Sequence, residues 1–186
     1  MLHDPGRGPT LEVALTKMMR RNKGMQIIAL SATISNAMDL AQWLKAKPGM
    51  TLKDVIKMMR NLPLVSGIQE TVAMLHYNGI KCVICSGGIS VAAKMIADEF
   101  GFDDYLADDL EVDSEGRLTG EGIANVDLRD KGASAIKLME KYGATKERTI
   151  AIGDSFGDIS MFDVTGMSIA FNPKDMELTG ARADHV

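Results

Sequence analysis

Cysteine is scarce in this chain, which has only Cys82 and Cys85 among its 186 residues. Both lie in the apolar run 80–85, and no second pair of ligands accompanies them, so their Cys-x-x-Cys spacing does not predict a zinc or redox site. We interpret them as structural cysteines in a buried strand, kept reduced in a reducing compartment.

Long apolar runs and an excess of positive charge are also absent. No apolar run approaches the roughly 20 residues of a membrane-spanning helix, and no signal peptide opens the chain. We therefore expect a cytoplasmic protein without a membrane partner. The net charge of −4 disfavours a broad nucleic-acid-binding surface. The length suits one medium domain, or one domain with an appendage.

The sequence that is present alternates between helical and strand patterns after the break at residues 47–49. The predicted helices span 51–60, 68–77, 89–100 and 130–142. The predicted strands span 80–85, 105–107, 149–153 and 168–171, with a small hairpin within 110–118. Such alternation predicts an α/β fold, a three-layer Rossmann-like arrangement with a largely parallel sheet.

The strongest chemical signal follows the predicted strand 149–153. Asp154 stands at the strand tip and Asp158 at the start of a helix, four residues later. Ligands of open α/β sheets bind at the carboxyl ends of the strands. Two carboxylates that converge there repel each other unless a cation joins them, and oxygen ligands suit magnesium (Mg2+). The alternative is simple capping of the helix.

Two weaker signals fit the same edge of the sheet. Ser86, Gly87 and Gly88 follow an apolar strand and precede a helix, where backbone N–H groups can hold an anion. Lys131 opens another helix, against the helix dipole unless an anion is near. A plain turn and a surface lysine are the alternatives. Taken together, the three signals predict a phosphate site with magnesium on Asp154.

Residues 47–186 resemble the haloacid dehalogenase superfamily, and most closely its phosphoserine-phosphatase branch. Ser86-Gly87-Gly88 matches the second motif of that family, Lys131-Gly132 matches the third, and the run 153–158 matches the fourth. The resemblance implies the corresponding α/β core with its cap largely missing. One local departure is Gly157, where this branch often has asparagine.

The resemblance also implies a function, a magnesium-dependent phosphatase of a small phosphorylated substrate, as in serine biosynthesis. Ser86 and Lys131 would hold the phosphoryl group and Asp154 would bind the metal. Asp158 would lie next to the metal ligands, in the second layer of residues around the metal. Its larger departure is that no Asp-x-Asp-x-Thr nucleophile motif occurs before Ser86. If residues 26–30 form the central strand, between 82–85 and 150–152, Ser31 stands in the nucleophile position. A serine without an adjacent base is a poor nucleophile, so we expect impaired catalysis.

Residues 1–46 resemble something different, the archaeal repair helicases, through the run 31–36, which contains Ser31-Ala32-Thr33. The phosphate-binding loop and the Asp-Glu box of those motors are missing. The chain therefore reads as a chimera of a helicase-like segment, 1–46, and a phosphatase domain, 47–186. Two other functions stay open at this point, a non-catalytic phosphate- or metal-binding domain and, with less support, a fragment of a nucleic-acid motor.

Overall fold

The computed structural model describes residues 27–30 (by their backbone), 48–60, 64, 66–173, 176, 180 and 182–186. The strands are β1 (Ile27–Leu30), β2 (Lys81–Ile89), β3 (Asp104–Val112), β4 (Leu118–Ile123), β5 (Thr149–Gly153) and β6 (Met167–Ala170). The helices are α1 (Leu52–Met59), α2 (Ile68–Tyr77), α3 (Ser90–Phe100), α4 (Lys131–Tyr142) and α5 (Ile159–Val164). Short 3-10 turns span Lys146–Arg148 and Phe156–Asp158.

The strands form one sheet in the order β4-β3-β2-β1-β5-β6. All neighbours pair in parallel except β3 and β4, which form the antiparallel hairpin. The strand β1 lies between β2 and β5, and Ile28 pairs with Cys82 on one side and Ile150 on the other. This is the position that the sequence predicts for residues 26–30.

Helices cover both faces of the sheet because successive side chains of a strand point to opposite sides. On one face, Cys82 of β2 packs in a buried cluster with Val72 and Leu75 of α2. On the other face, Cys85 packs with Leu138 of α4 and with residues of α5. The predicted three-layer α/β class is thus confirmed.

The helix starts follow local chemistry that is readable in the sequence. Thr51 caps α1, and its backbone N–H donates to Asp54 Oδ2 at 3.0 Å while the Asp54 N–H donates to Thr51 Oγ1 at 3.3 Å. This reciprocal pair satisfies two backbone N–H groups that have no hydrogen-bond partner within the helix. No helix in the described part of the chain is both long and apolar enough to cross a membrane.

The prediction of a turn at Ser86-Gly87-Gly88 was wrong. The strand β2 continues through these residues to Ile89, and α3 begins at Ser90. Its pairing with β3 shifts register between Cys85 and Ile89, so the extension is irregular. Within it, Gly88 N–H donates to Ser86 Oγ at 3.0 Å. The glycines allow β2 to bend locally without leaving the sheet.

The predicted short strand 105–107 and the hairpin strand after it are one element, β3. Its first half pairs with β2, up to Asp108, and its second half pairs with β4 from Asp109 onward. One strand can do both because each half uses one of its two edges. The predicted hairpin turn is confirmed, since Gly116 N–H donates to the Asp113 carbonyl at 3.0 Å.

Candidate active site

A buried ion pair forms the centre of the candidate site. Helix α4 begins at Lys131, after Asp130, whose side chain accepts a hydrogen bond from the Ala133 N–H. Lys131 Nζ donates to Asp158 Oδ1 at 2.7 Å. The side chains are only 5% and 0% exposed. Since buried charges are costly unless paired, each fixes the other in place.

The second oxygen of Asp158 organises the turn after β5. Oδ2 accepts hydrogen bonds from the backbone N–H groups of Asp154 and Ser155, both at 3.0 Å, and from Ser155 Oγ at 2.9 Å. Burial by itself raises the pKa of Asp158, but the Lys131 ammonium and the hydrogen bonds outweigh it, and the pKa lies below the ordinary value. Asp158 is therefore held as a carboxylate.

Asp154 follows the last residue of β5 and is half-buried, with its Oδ1 atom enclosed. Its turn is tight: a Cβ on Gly153 would lie 2.6 Å from Asp158 Cγ. Only a glycine at 153 lets the Asp158 side chain lie against the strand end. The sequence predicts that Asp154 and Asp158 are neighbours at this edge, and Asp158 Oδ2 accepts a hydrogen bond from the Asp154 backbone N–H.

The carboxylates of this turn offer the oxygen donors that magnesium prefers. Both oxygens of Asp158 already accept hydrogen bonds, so a cation would meet its protein oxygen on Asp154. Among the described residues, no three His, Cys, Asp or Glu side chains cluster in a way that could hold a metal. Magnesium is usually bound by one or two carboxylates together with water and phosphate oxygens. One carboxylate at a strand tip fits that pattern.

Ser86 and Gly87 lie on β2, which β1 separates from β5, and Ser86 is almost fully buried, at 4% exposed. The structure reveals a residue beside them that sequence reasoning missed. The side chain of Leu128 lies against the Gly87 backbone, in the space that a Cβ would occupy. No local pattern in the sequence signals this contact, because Val126 and Leu128 lie in a bend and a turn before the helix rather than in a strand.

Leu128 also reaches the Asp154 side of the site. A Cβ on Gly157 would lie 2.9 Å from the Leu128 carbonyl oxygen and 4.0 Å from Lys131 Cε. Gly87, Leu128, Gly157 and Lys131 are thus successive neighbours. The convergence of Ser86 with Lys131 and Asp154 stays a prediction, and Ser31 lies outside the described residues.

A family profile described as haloacid dehalogenase-like hydrolase matches residues 12–163. The chain therefore belongs to the haloacid dehalogenase-like hydrolases. The match begins inside the segment 1–46, whose helicase resemblance stays a prediction.

Relatives and solved structures agree with this assignment. The chain is 34% identical over 155 residues to a phosphoserine phosphatase of Haemophilus influenzae, covering 78% of this chain and 49% of that protein. It is 34% identical over 125 residues to a phosphoserine phosphatase of Saccharomyces cerevisiae, covering 67% and 40%. The chain thus spans half or less of the length of these two relatives.

The fold is similar to that of a probable phosphoserine phosphatase from Vibrio cholerae, known from a crystal structure. It has a TM-score of 0.75 at 22% identity and covers 88% of this chain and 61% of that chain. A structure of a phospho-aspartyl intermediate analogue of phosphoserine phosphatase has a TM-score of 0.72 at 23% identity, covering 87% and 92%. At these identities the likeness establishes the fold.

Proposed function

We propose that this chain is a magnesium-dependent phosphomonoester hydrolase of the phosphoserine-phosphatase lineage, with impaired turnover. The observation that carries the proposal is the buried pair of Lys131 and Asp158 beside Asp154, at the carboxyl end of β5. The names of the relatives supply the substrate class, a small phosphorylated compound such as phosphoserine. That substrate would place the chain in serine biosynthesis.

Each residue has a physical role in this proposal. Lys131 brings an ammonium to the phosphoryl oxygens, and Asp158 holds that ammonium in position. The Ser86 hydroxyl and the Gly87 backbone N–H would donate hydrogen bonds to the same oxygens, whereas the Gly88 N–H donates to Ser86 Oγ instead. Asp154 would hold magnesium, which supplies positive charge against the phosphoryl group when bound.

The nucleophile is the missing part. Phosphoryl transfer needs an in-line nucleophile as well as charge neutralisation. The residue that directly follows the middle strand β1 is Ser31, and a serine hydroxyl needs a base that no neighbouring sequence position supplies. An aspartate there would be ionised at neutral pH and would need no base.

The test is magnesium-dependent phosphate release from phosphoserine and from an aryl phosphate. We expect the parent to release little phosphate. The rate of release by Ser31→Asp should be about a hundredfold higher or more, because loss of a nucleophile lowers the rate by several orders of magnitude. Thr33→Asp added to it should supply the acid/base and raise release further. Ser31→Asn is the matched neutral control. Strong release by the parent that Asp154→Asn abolishes would mean that the nucleophile lies elsewhere.

A second function, a non-catalytic domain that binds phosphate or metal, is favoured by one observation: the chain lacks the Asp-x-Asp motif. Calorimetry with inorganic phosphate and magnesium, taken together with the turnover assay, distinguishes the two functions. Phosphate binding that requires Lys131, together with no gain of turnover in Ser31→Asp, would favour the binding domain.

A further inference from the structure

Leu128 occupies an unusual place for an apolar residue. Val126, two residues earlier, packs in the buried cluster that contains Cys85 of β2. Leu128 lies against Gly87, which is two residues beyond Cys85 in β2. Whereas Val126 is buried, Leu128 is 46% exposed. Its side chain thus covers the end of β2 and presents apolar surface to solvent.

Two glycines make room for it. The Gly87 backbone receives the Leu128 side chain, and the absence of a Gly157 side chain admits the Leu128 carbonyl oxygen. Asp127 holds the turn, since its Oδ1 accepts from the Arg129 N–H at 2.8 Å. This turn leads directly into Lys131, so Leu128 is fixed between Gly87 and the lysine that the proposed function assigns to phosphate.

We infer that Leu128 is a specificity-determining residue, whose apolar side chain forms the wall against which the organic group of a phosphomonoester lies. The inference rests on the proposed function. A phosphate bound at Gly87 and Lys131 leaves its ester group to pass Leu128. An apolar group there gains burial against the Leu128 side chain.

A second observation supports an apolar organic group. Phe156 precedes Gly157, the residue that the Leu128 carbonyl contacts, and is 66% exposed. Two exposed large apolar residues, Leu128 and Phe156, therefore belong to segments that meet at Gly157. Among small phosphorylated ligands, the site should therefore bind an ester with an apolar group next to the ester oxygen, such as an aryl phosphate, more tightly than it binds inorganic phosphate.

The test is a binding experiment, which does not depend on turnover. Inorganic phosphate, phosphoserine and phenyl phosphate are titrated calorimetrically in magnesium buffer into the parent, Leu128→Ala and Leu128→Met. We expect Leu128→Ala to lower the affinity for phenyl phosphate about tenfold, which is the effect of losing a small apolar contact in a binding pocket. Its affinity for inorganic phosphate should stay within about twofold, and Leu128→Met, which keeps apolar volume, should resemble the parent.

Ile136→Ala is the matched control, since Ile136 is an apolar residue of α4 that is 40% exposed and is not adjacent to Gly87. If Leu128→Ala changes the affinities for phenyl phosphate and inorganic phosphate equally, or changes neither, the inference is overturned while the proposed function stays intact. If the parent binds none of the three ligands, the proposed function fails and the inference fails with it. If Leu128→Ala does not fold, Leu128→Asn against Leu128→Met gives the same comparison.

Discussion

At the scale of single residues, Asp158 has the most demanding environment of the site. It is fully buried and accepts hydrogen bonds from Lys131, Asp154 and Ser155. We expect Asp158→Asn to destabilise the fold by about 3–5 kcal/mol, because it leaves the buried ammonium uncompensated. Lys131→Met should cost less, since the Asp158 carboxylate keeps its donors from the turn.

The measurement is urea unfolding of both variants followed by circular dichroism. Asp158→Asn should lower the unfolding midpoint more than Lys131→Met does. Two variants that each change the free energy of unfolding by less than about 1 kcal/mol would contradict the buried pair, since exposed ion pairs are worth that little.

Gly153 permits a second residue-scale prediction. A Cβ there would lie 2.6 Å from Asp158 Cγ, whereas a Cβ on Gly122 of β4 would meet its nearest atom, the Asp109 carbonyl oxygen, at 3.6 Å. We expect Gly153→Ala to cost about 1–3 kcal/mol through overpacking, and Gly122→Ala to change stability little. Thermal unfolding of the pair tests this, and equal melting temperatures would mean that the β5 turn yields without cost.

At the scale of elements, β2 places its two cysteines on opposite faces of the sheet, Cys82 towards α2 and Cys85 towards α4. Burial raises the pKa of Cys82 to about 12 and that of Cys85 to about 11. Because the thiolate is the reactive form, native protein at pH 8 should react with a thiol reagent far more slowly than unfolded protein. Rapid reaction of either thiol without denaturant would place it in an accessible site.

The elements also mark what the sequence could predict. Helix α2 and strand β5 have the predicted bounds, because glycine and polar residues punctuate both. By contrast, the extension of β2 through Ser86 to Ile89 depends on β3 alongside it. Local residue preference favours a turn at two glycines, and pairing with a neighbouring strand overrides it.

At the scale of the whole molecule, the sequence singled out the polar residues of the candidate site but not the apolar Leu128. Lys131, Asp154 and Asp158 are recognisable because charged residues at the ends of strands and the starts of helices are typical of ligand sites in α/β folds. The contact of Leu128 with Gly87 joins segments about 40 positions apart in the chain, and nothing local in either segment signals it. Such contacts arise from packing of the complete sheet, which periodicity within one segment cannot predict.

The whole-molecule prediction concerns the middle strand. Since β1 pairs with β2 on one side and with β5 on the other, we expect residues 47–186 alone to lose cooperative unfolding and to aggregate. Removing β1 exposes the backbone donors and acceptors of two apolar strands, and unpaired edges of that kind associate with other chains. Ile28→Pro in the full chain tests the same strand without deletion, because proline removes a ladder hydrogen bond from a central strand. Ile28→Val is its control. Light scattering and thermal unfolding measure the outcome, and a truncated chain that stays monomeric with the parent's melting temperature would show that residues 47–186 do not need this strand.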